Sequence, residues 1–272
     1  MSENGRRYVF SGHAVGVAAQ FHRLGELTGL NHVVPTLGAA VLPVTGGLSH
    51  SRAQDYNYKV DEPWSRSLLK VKHVQSKAQG SETRDGYQTE VNSDIEEISV
   101  VEKMHIDRVV LHMTSTRSAE GPPEIRTTGN KIDGLRLGKV QVAVVLDDDT
   151  LCSCGTKQQL ADFYAAQTAD FRQQNCWRFH TQPDAAAIQE HNGYYKCTLV
   201  RDIRLSGPAD EVAKISVEGN RIYWPGFGRI FLGEVLVGAR ERRMTMVRLA
   251  MGSDAGGSGS IGDAGTNGSV ST

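Results

Sequence analysis

The sequence predicts a mainly β protein, either an antiparallel sandwich or a distorted barrel, with one amphipathic helix packed on a sheet. Glycine is abundant, at 29 of 272 residues, and it recurs between short runs of Val, Ile, Leu and Thr, as turns recur between strands. Apolar and polar residues alternate in the C-terminal half, which is typical of strands with one buried face. One long segment instead has apolar residues at spacings of three and four, as a helix requires.

Short segments rich in β-branched and aromatic residues are the strand candidates. They are Tyr8–Ala19, Val33–Val44, Ser67–Val74, Ile98–Thr116, Val140–Leu146, Tyr194–Leu205, Lys214–Trp224, Arg229–Val237 and Met244–Met251. Gly219-Asn220 lies between two such runs and predicts a tight hairpin turn. The polar stretches Thr45–Arg66 and Ser76–Asp94 are expected to be long loops.

The helix is predicted over residues 156–174. Thr156 can cap its first turn while Gln159 reaches back, which forms a capping box. One face carries Leu160, Phe163, Tyr164, Gln167 and Phe171. We expect this face to dock on a sheet through Phe163 and Phe171, and we expect a second short helix after Pro183.

The strands and the helix predict a single domain over residues 6–251. The remaining segment, 252–272, is rich in Gly and Ser and nearly free of apolar residues. Such a segment cannot bury enough apolar area to become ordered. We therefore expect a flexible tail whose deletion leaves the melting temperature unchanged.

The balance of charge excludes some partners. The chain has 30 Lys+Arg against 31 Asp+Glu, so no global field attracts nucleic acid or an anionic membrane. No apolar run approaches the roughly 20 residues that span a bilayer. Arg6 and Arg7 precede an apolar segment that His13 interrupts and that lacks a clear cleavage site. We expect a cytoplasmic protein, or a secreted one if the chain is a processed form.

The stretch "VVLDDDTLCSCGT" contains residue types that bind metals, so a metal site is one interpretation of it. Asp147, Asp148 and Asp149 are consecutive, which is not the spacing of a known calcium loop. Acidic residues at the start of a helix are favoured by its dipole, so the stretch predicts a strand-to-helix junction. Zinc is the other alternative, with the ligand set Cys152, Cys154, Cys176, His180 and Cys197, and a disulfide between the segments flanking the helix is a third. We expect no metal and no cofactor.

Four side chains are candidates for acid–base catalysis. They are His105, Asp107, His112 and Asp147. His105 and His112 lie seven residues apart, and on a regular strand an odd separation places them on opposite faces. No nucleophile elbow, phosphate loop, dinucleotide fingerprint or His-Glu-x-x-His motif occurs.

Two further clusters are candidates for binding. The turn "YWPGFGR" places Tyr223, Trp224, Phe227 and Arg229 together, which either stacks on a ligand ring or closes a β-corner. Arg240, Arg242 and Arg243 lie between two predicted strands, where they either meet a partner's carboxylates or form a solvated hairpin tip.

The segments "IDGLRLGKVQVAVVL" and "FGRIFLGEVLVGARERRMTMVRLAMGS" resemble those of bacterial β-rich surface domains called choice-of-anchor, subclass P. The resemblance covers the Gly-bounded strands and the last hairpins. It implies a secreted protein, although no signal peptide or anchor is recognised in this chain. Because the function of those domains is not established, the resemblance assigns no catalytic residue.

These observations favour a non-enzymatic β-rich module that binds a protein partner or self-assembles as a homo-oligomer. The alternative function is an enzyme with a pocket between the sheet and the 156–174 helix, using the dispersed His and Asp residues. Convergence of those side chains in one apolar pocket would favour the enzyme.

The cysteine spacing generates a prediction. No Cys-x2-Cys pair completes a tetrahedron around Cys152 and Cys154. We therefore expect Cys152→Ser with Cys154→Ser to leave folding nearly intact, and the purified wild type to carry no stoichiometric zinc in elemental analysis. One zinc per chain, lost together with the fold when a chelator is added, would contradict this expectation.

Overall fold

The computed structural model describes residues 7–24, 27–60, 66–118, 121–174, 178–181, 193–238, 241–252 and 256–270. Within these ranges the chain forms two nine-stranded antiparallel sheets that pack face to face as a sandwich. The predicted fold class is confirmed, and of the two architectures left open it is the sandwich that forms. Among the described helices, none is long and apolar enough to cross a bilayer.

The first sheet comes almost entirely from one continuous part of the chain. Its strands are β4 (Gly47–Val60), β5 (Arg66–Thr83), β6 (Gly86–Val100), β7 (Met104–Arg117), β8 (Glu124–Thr127), β9 (Lys131–Asp133), β10 (Leu135–Leu137), β11 (Val140–Leu146) and β14 (Val200–Ser206). The predicted loops at 45–66 and 76–94 were wrong, because most of the described residues in these stretches form the arms of long hairpins. They are polar because one strand face is exposed and because small polar side chains such as Ser76 and Ser93 pair in the interior.

The second sheet joins the two ends of the described chain. Its strands are β2 (Gly12–Leu24), β3 (Leu27–Val41), β12 (Arg178–Thr181), β13 (Gly193–Thr198), β15 (Ser216–Glu218), β16 (Arg221–Trp224), β17 (Gly228–Val237), β18 (Arg242–Met251) and β19 (Gly257–Thr266). The main order is β12-β13-β17-β18-β19-β2-β3. A separate ribbon pairs β1 (Tyr8–Val9) with β20 (Ser269–Val270).

The flexible tail predicted over 252–272 was wrong for its described part. β19 lies between β18 and β2 and pairs with both along its whole length. Ile261 and Ala264 are buried in the core. Small residues suit this position, because a strand paired on both sides derives its order from two ladders of hydrogen bonds and needs few large side chains of its own.

The predicted helix of residues 156–174 is two helices, α2 (Lys157–Ala166) and α3 (Ala169–Gln174), preceded by the short α1 (Asp148–Ser153) and followed later by α4 (Ala209–Val212). The capping box of Thr156 and Gln159 is confirmed. The break follows from a second cap, since the Thr168 hydroxyl accepts a hydrogen bond from the Phe171 amide. The short helix predicted after Pro183 lies outside the described residues.

The helical segment docks less deeply than predicted. Leu160 is the buried contact of α2. Phe163 and Phe171 are half-buried and meet edge to face, with ring centroids 6.3 Å apart. Of the two phenylalanines through which docking was predicted, Phe163 packs against the core while only partly buried.

A row made of four glycines and one methionine crosses the middle of the second sheet. From one strand to the next it contains Gly233, Met246, Gly262, Gly16 and Gly38. Gly233, Gly262 and Gly38 have φ of +57°, +62° and +62°. On β17 and β18 the core-facing side chains are at even-numbered positions before this row and at odd-numbered positions after it. The row is therefore a shared bend.

At the bend, a side chain of the first sheet packs directly against glycine backbone of the second. A Cβ added to Gly16 would lie 2.1 Å from Val74 Cγ1, and one added to Gly38 would lie 2.3 Å from the same atom. Val74 is fully buried on β5 of the first sheet. Its side chain thus fills the space that two glycines of the second sheet leave open.

We expect Gly16→Ala to destabilise the protein by about 1–3 kcal/mol through overpacking against Val74. Most of that loss should disappear in a Val74→Ala background, measured as the coupling energy of a double-mutant cycle in urea unfolding. Gly38→Ala is the comparison, because its positive φ should keep a penalty of about 1 kcal/mol even in that background. A Gly16→Ala variant as stable as wild type would contradict this packing.

We expect Ile261→Ala to lower the free energy of unfolding by about 2–5 kcal/mol, because a buried side chain of a central strand is removed. Ser258→Ala on the exposed face of the same strand is the control and should stay within about 0.5 kcal/mol of wild type. Equal stability of the two variants in chemical denaturation would mean that β19 is not packed.

Candidate functional site

The first sheet has a bend of its own, and charged residues form it. Asp55, Lys72, Glu97 and Asp107 lie side by side on β4, β5, β6 and β7. Asp55 and Glu97 have positive φ, of +50° and +49°. The buried positions of β6 and β7 change parity here. All four side chains are consequently exposed on the outer face.

A second row runs parallel to the first, two residues further along each strand. It contains Asn57, Lys70, Ser99, His105 and Arg136, which face one another in register from β4 to β10. Between the two rows the outer surface forms a concavity of about 810 Å³, which Glu102 of the β6–β7 turn also lines. We call this concavity the transverse groove, because it crosses the strands.

Most of the charges of the transverse groove are engaged in ion pairs. Lys72 pairs with Glu97, Arg136 Nη2 lies 2.7 Å from Asp107 Oδ1, and Lys70 Nζ lies 3.8 Å from Glu102 Oε1. The hydrogen bond to Glu97 raises the pKa of Lys72. The groove is therefore polar, with three ion pairs and one further carboxylate, that of Asp55, which none of the three includes.

Two of the four candidate catalytic residues lie in the groove. His105 lies between Ser99 and Arg136 in the second row, and Asp107 belongs to the first. The Asp107 carboxylate accepts its hydrogen bond from Arg136. Asp107 is thus engaged by a guanidinium from β10.

His112 lies on the same outer face as His105, so the prediction of opposite faces was wrong. The alternation of buried and outward-facing residues along β7 shifts by one position at Asp107 and Arg108. Two residues an odd number of positions apart can therefore face the same side of the sheet. Seven residues of strand still separate the two histidines by about 23 Å. The ring of His112 lies 3.4 Å from Glu90 Oε1, and its amide donates to Asn130 Oδ1 at 2.7 Å.

Asp147 lies apart from the other candidates, at the junction of β11 and α1. Its amide donates to the Leu199 carbonyl at 2.7 Å, and its Oδ1 accepts from the Asp149 amide at 3.1 Å. Asp148 instead accepts from Asn130 Nδ2 at 2.8 Å. The predicted strand-to-helix junction is confirmed, and the aspartates bond to the backbone and to an amide.

The described cysteines are free thiols. Cys152 Sγ donates to the Thr127 carbonyl at 3.1 Å. Burial, with Cys154 nearby, raises the pKa of Cys197 to about 12. Cys176 and the side chain of His180 lie outside the described residues. Within the described part of the chain, no three His, Cys, Asp or Glu side chains converge on a metal position.

The aromatic turn closes a corner of the fold. Phe227 is 2% exposed, and its ring stacks on Trp224 with centroids 5.5 Å apart. Lys103 Nζ donates to the Gly226 carbonyl at 3.2 Å and so ties the turn to the first sheet. A ligand role for Phe227 was therefore wrong, because its ring is inaccessible. Tyr223 and Arg229 are exposed, and for them ligand binding stays a prediction.

The predicted partner-binding arginines separate into different environments. Arg242 is buried, and its guanidinium donates to the carbonyls of Gly238, Glu241 and Pro123. Burial lowers its pKa to about 10. Arg242 thus clamps the β17–β18 turn to the segment before β8, and a partner role for it was wrong. Arg243 pairs with Asp263 at 2.8 Å, and Arg240 lies outside the described residues.

The terminal strands β3 and β4 carry exposed apolar side chains that the sequence analysis missed. Val33, Val41, Val44 and Leu48 are 65%, 66%, 65% and 58% exposed, and we call them the apolar edge. They belong to β3, β4 and the turn between them, and β3 and β4 are the terminal strands of their sheets. No Asp, Glu, Lys or Arg occurs from Leu27 to Ser51. This uncharged segment was the sequence feature from which the apolar edge could have been predicted.

The groove residues Asp55, Lys72 and Glu97 were also missed. Asp55 lies in a stretch that was interpreted as a loop, and Lys72 and Glu97 reach their positions only through pairing partners elsewhere in the chain.

Comparison with known proteins gives a family and no function. No curated protein and no solved structure matches the chain. A family model described as a domain of unknown function, DUF8256, matches residues 8–238. Since this match spans most of the sequence, the chain belongs to the DUF8256 family.

Proposed function

We propose that this protein is a non-enzymatic module that self-assembles through its apolar edge, with a second copy of the chain as partner. The observation that supports the proposal is the exposure of Val33, Val41, Val44 and Leu48 within a segment without charged residues. Exposed apolar surface of this kind marks interaction sites.

Absence of charge favours a second copy as the occupant. Terminal strands are usually protected by Lys or other charged residues that repel a neighbouring edge. In an isologous dimer the same patch meets itself, so a charged edge would face its own charge. An uncharged edge avoids that repulsion, and apolar side chains on both copies would be buried together.

The contact is expected to use side chains more than a continuous sheet. Pro35 has no amide proton, and the register of β3 on β2 is irregular next to it, where Val34 and Leu37 face Ala19 and Val17. These features interrupt the free ladder of β3. Val41, Val44 and Leu48 lie beyond the interruption and would form the centre of the interface.

The enzyme alternative has less support. The four candidate residues are divided among the groove, the Asn130 network and the β11–α1 junction. Between α3 and the β15–β16 turn there is a concavity of about 430 Å³, lined by Asp170, Gln173 and Val217 among others. None of the four candidates lines it, whereas an active site there would need them to converge.

Light scattering during size-exclusion chromatography tests the proposal. We expect a wild-type dimer at micromolar concentration and a monomer for Val41→Lys with Val44→Lys, because two ammonium groups on each edge repel and must be desolvated. At dilutions where both proteins are monomeric, the melting temperature of the variant should differ little from that of wild type, since both valine side chains are already exposed.

The matched control is Val145→Lys with Val217→Lys, which changes two exposed valines outside the apolar edge. This control should remain dimeric. A wild type that stays monomeric at high concentration, or an edge variant that stays dimeric, would overturn self-assembly through this surface.

A further inference from the structure

We propose that the transverse groove binds an extended, uncharged polyhydroxy chain, such as a neutral oligosaccharide. This inference concerns a surface separate from the apolar edge and does not depend on self-assembly. It rests on the register, the charge pairing and the shape of the groove.

The groove has the dimensions of a site for a short linear chain. Its second row crosses five strands, from Asn57 on β4 to Arg136 on β10. Neighbouring strands are about 4.8 Å apart, so the row is roughly 19 Å long. The concavity of about 810 Å³ lies within the usual size range of ligand sites.

The direction of the groove argues against a peptide bound as an added strand. A bound strand must run along a sheet edge, where backbone amides and carbonyls are free. The transverse groove instead runs across strands whose backbone groups already pair with one another. A ligand in the groove would therefore be recognised by the side chains that project from both rows.

The pairing of charges argues for a neutral ligand. A chain that carries many charges would have to compete with the Lys72–Glu97 and Arg136–Asp107 pairs, whose partners would then be left unpaired. The carboxylate of Asp55, which is outside these pairs, leaves the groove a surplus of one negative charge only. A carboxylate has about four acceptor positions, an ammonium three donors and a guanidinium five. Each pair therefore keeps unused donors and acceptors, and a hydroxyl can donate to one and accept from the other without separating them.

The side chains are also held in place before a ligand arrives. Nearly all of them project from paired strands, and sites on strands are positioned more accurately than sites on loops. Ser99 and His105 are half-buried in the centre of the second row. They supply a hydroxyl and an imidazole between Lys70 on one side and Arg136 on the other.

Titration with neutral oligosaccharides tests the inference. We would add maltohexaose, cellohexaose, xylohexaose and chitohexaose separately to the protein and follow binding by calorimetry and amide chemical shifts. At least one should bind, with shifts confined to the two rows. Glu97→Gln with Asp107→Asn should weaken that binding tenfold or more, because two charged acceptors are removed.

Asp94→Asn is the matched control. Asp94 is also an exposed aspartate paired with an arginine, Arg108, on the same outer face, yet it lies outside the groove. Its loss should change the affinity less than twofold. Ser99→Tyr provides a second variant, since it fills the middle of the groove without changing a charge and Tyr suits a strand. It should abolish binding.

Three outcomes would overturn the inference. They are no binding by any of the four oligosaccharides, equal loss of affinity in Asp94→Asn and the groove variants, or tighter binding of hexagalacturonate or of a charged hexapeptide than of the neutral chains. The groove variants should have the same oligomeric state as wild type, which separates this test from that of the apolar edge.

Discussion

The contact of Val74 with Gly16 and Gly38 is the constraint on which the sandwich depends. Sheets in a sandwich are normally held apart by interleaved side chains, about 10 Å from each other. Here one sheet supplies a valine and the other supplies backbone without Cβ atoms, so the valine side chain occupies the space that two Cβ atoms would need. The bend through Gly233, Gly262 and Gly38 brings the second sheet to that position, and it divides the core into two halves whose buried positions differ in parity.

The same constraint links the interior to the outer surface. Val74 and Lys72 are two residues apart on β5, one directed into the core and the other into the transverse groove. The first sheet bends here through Asp55 and Glu97, residues for which positive φ is unfavourable by roughly 1–3 kcal/mol each. Glycine would relieve that strain. Aspartate and glutamate instead retain carboxylates on the surface, where one of them pairs with Lys72.

Local patterns in the sequence predicted the parts of the fold that local patterns determine. The cap at Thr156, the alternation in β18 and the junction after Leu146 all follow from residues within a few positions of one another. β19 could not be predicted in this way, because "GSGSIGDAGT" owes its strand conformation to β2 and β18. The groove was equally hidden, since its rows join residues from five strands and depend on the register, which no single segment contains. Of the candidate site, His105 and Asp107 were found from the sequence, and their partner Arg136 was not.

The position of β19 has a consequence for synthesis on the ribosome. β2 and β3 are made early, but the inner side of β2 pairs with β19, where Gly257 faces Phe21. The strands of the first sheet all emerge before β19 does. During this interval the β2–β3 hairpin carries two unpaired sides, one of them beside the uncharged apolar edge, and such sides are prone to wrong pairing. The nascent chain is therefore most exposed to aggregation just before its last long strand appears, and slow elongation over the preceding codons would lengthen that exposure.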